Sequence, residues 1–118
     1  MAELCAGRRG HPDSSLVITC GRTVYQQAAA AGYIATLQAF GACLINDTCW
    51  CMLGEPVVPV GSRNLMTNSG KYAHYAPGLA GRDVHFGSLA ACVAAACSGQ
   101  HHAQPPAWLV PLQPLGDR

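Results

Sequence analysis

The chain has 118 residues and carries seven Lys or Arg against six Asp or Glu, a net charge of +1. That length holds one small domain, and 11% charged residues of nearly balanced sign exclude a polybasic nucleic-acid binder or an acidic tail. Half of the residues are hydrophobic, too many for a disordered chain, but alanine dominates and only 7% are aromatic, so the expected core is thin.

Ser14–Cys20 is a short β-branched run and reads as a buried strand, broken by Gly21-Arg22. Thr23–Ala31 consists of strong helix formers, with Gly32 as a stop or kink. Tyr33–Phe40 continues helical, Ile34, Leu37 and Phe40 being spaced for one face, and Gly41 closes it. Ala42–Asn46 is the second strand. Asp47–Ser62, with two cysteines and two prolines, is a long irregular loop. Asn64–Thr67 is the third strand, and Asn68-Ser69-Gly70 turns into a helix from about Lys71, which Pro77-Gly78 is expected to end early. Arg82–Phe86 is the fourth strand. Ser88 is the N-cap of a last helix, Leu89–Cys97, ended by Ser98-Gly99.

This alternation predicts an α/β architecture: a three-layer α/β/α fragment around a mostly parallel, four-stranded sheet. Residues 1–99 form that body, and 100–118, with four prolines and no periodicity, form a flexible tail. No apolar run approaches the ~20 residues of a membrane span, and no signal peptide is visible at the N-terminus. An odd cysteine count, seven, argues against a disulfide scaffold and for a reducing, cytoplasmic location. Cys20, Cys43, Cys92 and Cys97 lie in apolar segments and read as small buried hydrophobes.

Two segments could carry chemistry. Asp47-Thr48-Cys49-Trp50-Cys51 follows the second strand, at the carboxyl end where parallel sheets place ligands. Cys-x-Cys alone is a weak metal signal, because a metal site needs three or four ligands. Thr67-Asn68-Ser69-Gly70-Lys71 joins the third strand to a helix start, a geometry in which free amides point at an anion. Lys71 is the only lysine of the chain, and the flanking glycines of a P-loop are missing. His74 and His85 read as packing or surface residues, and the adjacent His101 and His102 as weak metal ligands at most.

Asp47-Thr48-Cys49, then Thr67-Asn68-Ser69-Gly70-Lys71-Tyr72-Ala73-His74-Tyr75-Ala76-Pro77, then Val84-His85-Phe86-Gly87-Ser88-Leu89 with Cys92-Val93 resemble the aconitase X family, near the C-terminal end of its catalytic subunit. The likeness runs from about Leu16 to Gly99. It implies an iron–sulfur hydro-lyase, whose known members dehydrate mevalonate 5-phosphate or cis-3-hydroxy-L-proline. By that resemblance Cys49 is a cluster ligand, with Cys51 an alternative outside the match. Lys71, Asn68 and Ser69 also match the family motif, and their contact with substrate follows from the helix-start geometry. The cluster takes three cysteines, and Cys5 and Cys20 do not stand in the expected motif. The resemblance therefore implies that remaining aconitase X domains, or a small swivelling subunit, act in trans. The chain alone is then expected neither to hold a stable cluster nor to dehydrate a small hydroxy-acid or phosphorylated substrate. The competing readings are a non-enzymatic module binding a small anion at Asn68–Lys71, and a small metal-binding protein using Cys49, Cys51 and the tail histidines.

Overall fold

The computed structural model describes residues 1–101. The predicted tail from residue 102 onward, His102 included, lies outside them. In chain order the elements are α1 (Ala2–Cys5), β1 (Val17–Cys20), α2 (Arg22–Ala30), α3 (Tyr33–Phe40), β2 (Cys43–Asn46), a single 3₁₀ turn (Trp50–Met52), β3 (Asn64–Thr67), α4 (Gly70–Ala80), β4 (Asp83–Phe86) and α5 (Leu89–Ser98). The four expected strands and four expected helices are all present, and the fold is α/β.

The sheet differs from expectation. β1 pairs in parallel with β2, Val17 opposite Cys43 and Cys20 opposite Asn46, while β3 pairs in parallel with β4, Asn64 opposite Asp83 and Thr67 opposite Phe86. These are two two-stranded sheets, not one of four strands. Helix α5 bridges the pairs: it touches β3 and also sends Val93 and Ala96 into a core with Cys5, Leu37 and Phe40. Ile18 and Leu44 close that core from β1 and β2.

Local chemistry accounts for the boundaries. Gly32 (φ 83°) and Gly41 (φ 103°) adopt the left-handed conformation that separates α2 from α3 and ends α3, which side chains with a Cβ rarely take. The Ile34, Leu37 and Phe40 face is buried as its spacing requires. Ser88 Oγ accepts from the Ala91 amide and caps α5. α4 runs three residues past Pro77, which the sequence reading took as its end. Proline removes one backbone bond there, but buried Tyr72 and Ala76 and the packing of α4 on β4 hold the helix together.

One element, α1, lacked a sequence signature. α1 packs the 1%-exposed Cys5 against α3 and α5, and four residues are too few for helical periodicity to register. Of the cysteines expected to be buried, Cys20, Cys92 and Cys97 are half-buried and Cys43 is exposed. Cys43 opens β2 with its side chain on the open face of a two-stranded sheet. No helix among the described residues is long and apolar enough to cross a membrane.

Candidate functional site

Both strand pairs deliver their carboxyl ends to one cleft of about 450 Å³. β2 continues into Asp47-Thr48-Cys49, and β3 into Asn68-Ser69 and the first turn of α4. The cleft is lined by Thr48, Cys49, Asn68, Ser69 and Lys71, with β1 forming another wall. The two segments singled out in the sequence thus meet: Lys71 Nζ donates to Cys49 Sγ, 22 residues away in the chain, at 3.8 Å.

Cys49 is exposed and sits in extended backbone immediately before the 3₁₀ turn. Its thiol is held below the ordinary range. The Cys51 backbone amide, donating to the sulfur, contributes most, and the Cys51 thiol and the Lys71 ammonium act in the same direction. A thiol so placed favours the anionic form, which is the form that binds metals. Burial pushes the neighbouring Tyr72 hydroxyl the other way, up, and the proximity of Cys51 adds to the shift.

The helix start is already partly occupied by its own side chains. Ser69 Oγ accepts from the Tyr72 amide at 3.2 Å, so this first-turn donor is not offered to a ligand. Thr67 Oγ1 accepts from the Ser69 amide at 3.0 Å, and Thr67 is buried. The Ser69 hydroxyl keeps its own proton to donate, and Asn68 is exposed at the rim. Lys71 is the second residue of α4, whose first turn holds no acidic residue. A cation there opposes the helix dipole and concentrates positive potential at the cleft.

Sequence reasoning missed the aromatic wall. Trp50 and Tyr72 pack with ring centroids 5.4 Å apart and line this cleft and a second one, of about 330 Å³, behind it. In that second cleft Arg82 donates to Glu55 Oε1 at 2.8 Å and to the Ser62 carbonyl at 2.7 Å, which ties the irregular loop to β4. Asp47 was read only as part of the cysteine motif; its carboxylate reaches back to α2, accepting from the Arg22 amide at 2.8 Å and from Arg22 Nε at 3.1 Å. His74 packs edge-on to Tyr75, and His85 stacks on His101 at 3.7 Å, both away from the cleft lining.

The donor set bears on metal binding. Among the described residues no group of three or more His, Cys, Asp or Glu side chains gathers in a way that could hold a metal ion. Cys49, an exposed thiol biased toward thiolate, fits the role of a single ligand.

Comparison with known proteins places this geometry in context. The family profile described as the aconitase X third domain matches residues 1–98. The chain is 65% identical over 109 residues to a cis-3-hydroxy-L-proline dehydratase of Pseudomonas aeruginosa, covering 92% of this chain and 19% of that protein. It is 51% identical over 116 residues to a protein of the same description from Hypocrea jecorina, covering 98% of this chain and 20% of the relative. A phosphomevalonate dehydratase large subunit of Methanocaldococcus jannaschii is 30% identical over 89 residues, 75% of this chain and 21% of that subunit. The chain therefore spans about a fifth of the length of the curated relatives it matches.

Proposed function

The chain belongs to the aconitase X family, matching its third domain, and from that premise we propose that it supplies one wall of the active site of a dehydratase, acting on a small hydroxy acid of the 3-hydroxyproline kind. The observation that carries the reading is the meeting of Cys49 and Lys71, 3.8 Å apart, at the carboxyl ends of two parallel strand pairs. Cys49 is the ligand that the described residues offer to an iron–sulfur cluster, with Cys51 the alternative, and since no group of three ligands gathers among them the cluster needs ligands from elsewhere. When bound, that cluster supplies Lewis acidity toward the departing hydroxyl.

The chain's own residues bind and orient. Lys71 pairs its ammonium with the substrate carboxylate or phosphate, and the start of α4 adds its positive end. Asn68 presents an amide and Ser69 a hydroxyl to the same anion, the Ser69 oxygen being fixed by the Tyr72 amide. The Trp50–Tyr72 wall limits water behind Cys49. A single cysteine does not hold a cluster, so the described residues form part of a site that further aconitase X domains or a small subunit complete.

The test is a chimera in which residues 1–98 replace the matching segment of the Pseudomonas dehydratase. The chimera is expected to bind iron and dehydrate cis-3-hydroxy-L-proline. Cys49→Ser should lose bound iron, and Lys71→Met should keep iron while raising KM. Iron content and turnover both retained by Cys49→Ser would overturn the proposal.

A further inference from the structure

We propose that Asp47 is a positioning residue that sets the direction in which Cys49 enters the cleft. The proposal rests on the reading of Cys49 as the site's ligand and adds a residue to it. Asp47 has φ 56°, the one non-glycine residue with positive φ among those described. Asp and Asn tolerate this region better than other side chains, but it is sparsely populated, and such strain persists only where surrounding bonds impose it.

Three bonds impose it here. The Asp47 amide donates to the Cys20 carbonyl at 3.0 Å. Its carboxylate accepts from the Arg22 amide and from Arg22 Nε, at 2.8 and 3.1 Å. The residue before helix α2 is Gly21, which has no side chain to cap it, so Asp47 caps the Arg22 amide from 25 residues further along the chain. All three partners lie at the junction of β1 and α2.

The consequence appears two residues later. At Asp47 the chain leaves the β2 direction, Thr48 becomes half-buried in the cleft, and Cys49 takes an extended conformation (φ −86°, ψ 137°) before the 3₁₀ turn. That turn closes with the Met52 amide donating to the Cys49 carbonyl at 2.9 Å, which leaves the Cys49 sulfur within 3.8 Å of Lys71 Nζ. The ion pair itself adds little stability: the Arg22–Asp47 side chains are 75% and 45% exposed, and exposed pairs contribute little. The cap on α2 and the bond to Cys20 hold Asp47 at positive φ, and that conformation sets where the chain goes next.

The experiment uses the 118-residue chain with Asp47→Asn, Asp47→Gly, Asp47→Ala and Arg22→Ala. Limiting iodoacetamide and peptide mass spectrometry give the alkylation rate of Cys49 relative to exposed Cys43, with thermal melts recorded in parallel. Asn keeps an acceptor and tolerates positive φ, and its ratio should stay within about twofold of the parent. Ala loses both, and its ratio should fall about fivefold. Gly keeps the backbone freedom without the anchor and should fall between them. Arg22→Ala leaves the backbone bond to Asp47 and should resemble Asn. An Ala variant that melts lower with an unchanged ratio would show a purely structural role and overturn the proposal. If Ala does not fold, a Gly ratio equal to that of Asn overturns it equally. Iron retained by Cys49→Ser in the chimera would remove the ligand reading, while the alkylation series separately decides the positioning.

Discussion

Replacing Lys71 by Met should make the protein more stable and its site less effective. Lys71 stands at the second position of α4, beside the positive end of the helix dipole, with no acid in the first turn to offset it. Such a cation costs about 0.3–1 kcal/mol at low ionic strength. For a domain of this size 1 kcal/mol moves Tm by about 4–8 °C, so a rise of about 1–8 °C is expected in dilute buffer. Because the effect is electrostatic and exposed, it should nearly vanish in 1 M NaCl, where the screening length is about 3 Å. The same substitution removes the ammonium 3.8 Å from Cys49 Sγ. The Cys49 thiol then returns toward its ordinary range, and its alkylation at neutral pH slows. Thermal melts at two salt concentrations and a timed alkylation read both effects on one sample. A Lys71→Met chain destabilised by about 1 kcal/mol or more, or one with unchanged Cys49 alkylation, would refute the reasoning, because the lysine would then be structural.

Two further outcomes follow from the same structure. Arg82→Ala should cost about 1–3 kcal/mol, since it removes the donor to the Ser62 carbonyl and to Glu55 and one of three donors to the Pro59 carbonyl; limited proteolysis should then cut first within residues 54–62, and an unchanged cleavage pattern would contradict it. Alkaline pH should destabilise the fold through Cys5 and Cys92, whose thiols burial pushes above the ordinary 9.0. The folded state holds these protons more tightly than the unfolded chain, so their contribution is intact below about pH 9 and is lost as pH rises beyond it. Urea unfolding at pH 8 and pH 10 measures this, and Cys5→Ala should flatten the decline.

Most of the architecture is legible from residue spacing, because strong local signals mark it. The β-branched run ending at Cys20, the Ile34, Leu37 and Phe40 face, and the Ser88 cap each correspond to an observed element. What escaped is set by tertiary contacts. Whether four short strands join into one sheet depends on inter-strand bonds that no single strand encodes, and here α5 bridges two separate pairs. Pro77 reads as a terminator, yet buried Tyr72 and Ala76 carry α4 past it. At the site, Cys49, Asn68, Ser69 and Lys71 are each visible in the sequence, and the structure brings them to one cleft. The Asp47 cap on α2 was not visible, because it joins residues 25 apart through a backbone conformation.

The contact between His11 and Gly99 has a consequence for what can be altered at the end of α5. The His11 amide donates to the Ala96 carbonyl, and a side chain built at Gly99 would meet the His11 ring at 3.0 Å. Gly99 also has φ 75°, so a side chain there is opposed both by the backbone and by the ring. The connector between α1 and β1 is thereby clamped to the last turn of α5, and the clamp closes only over a glycine.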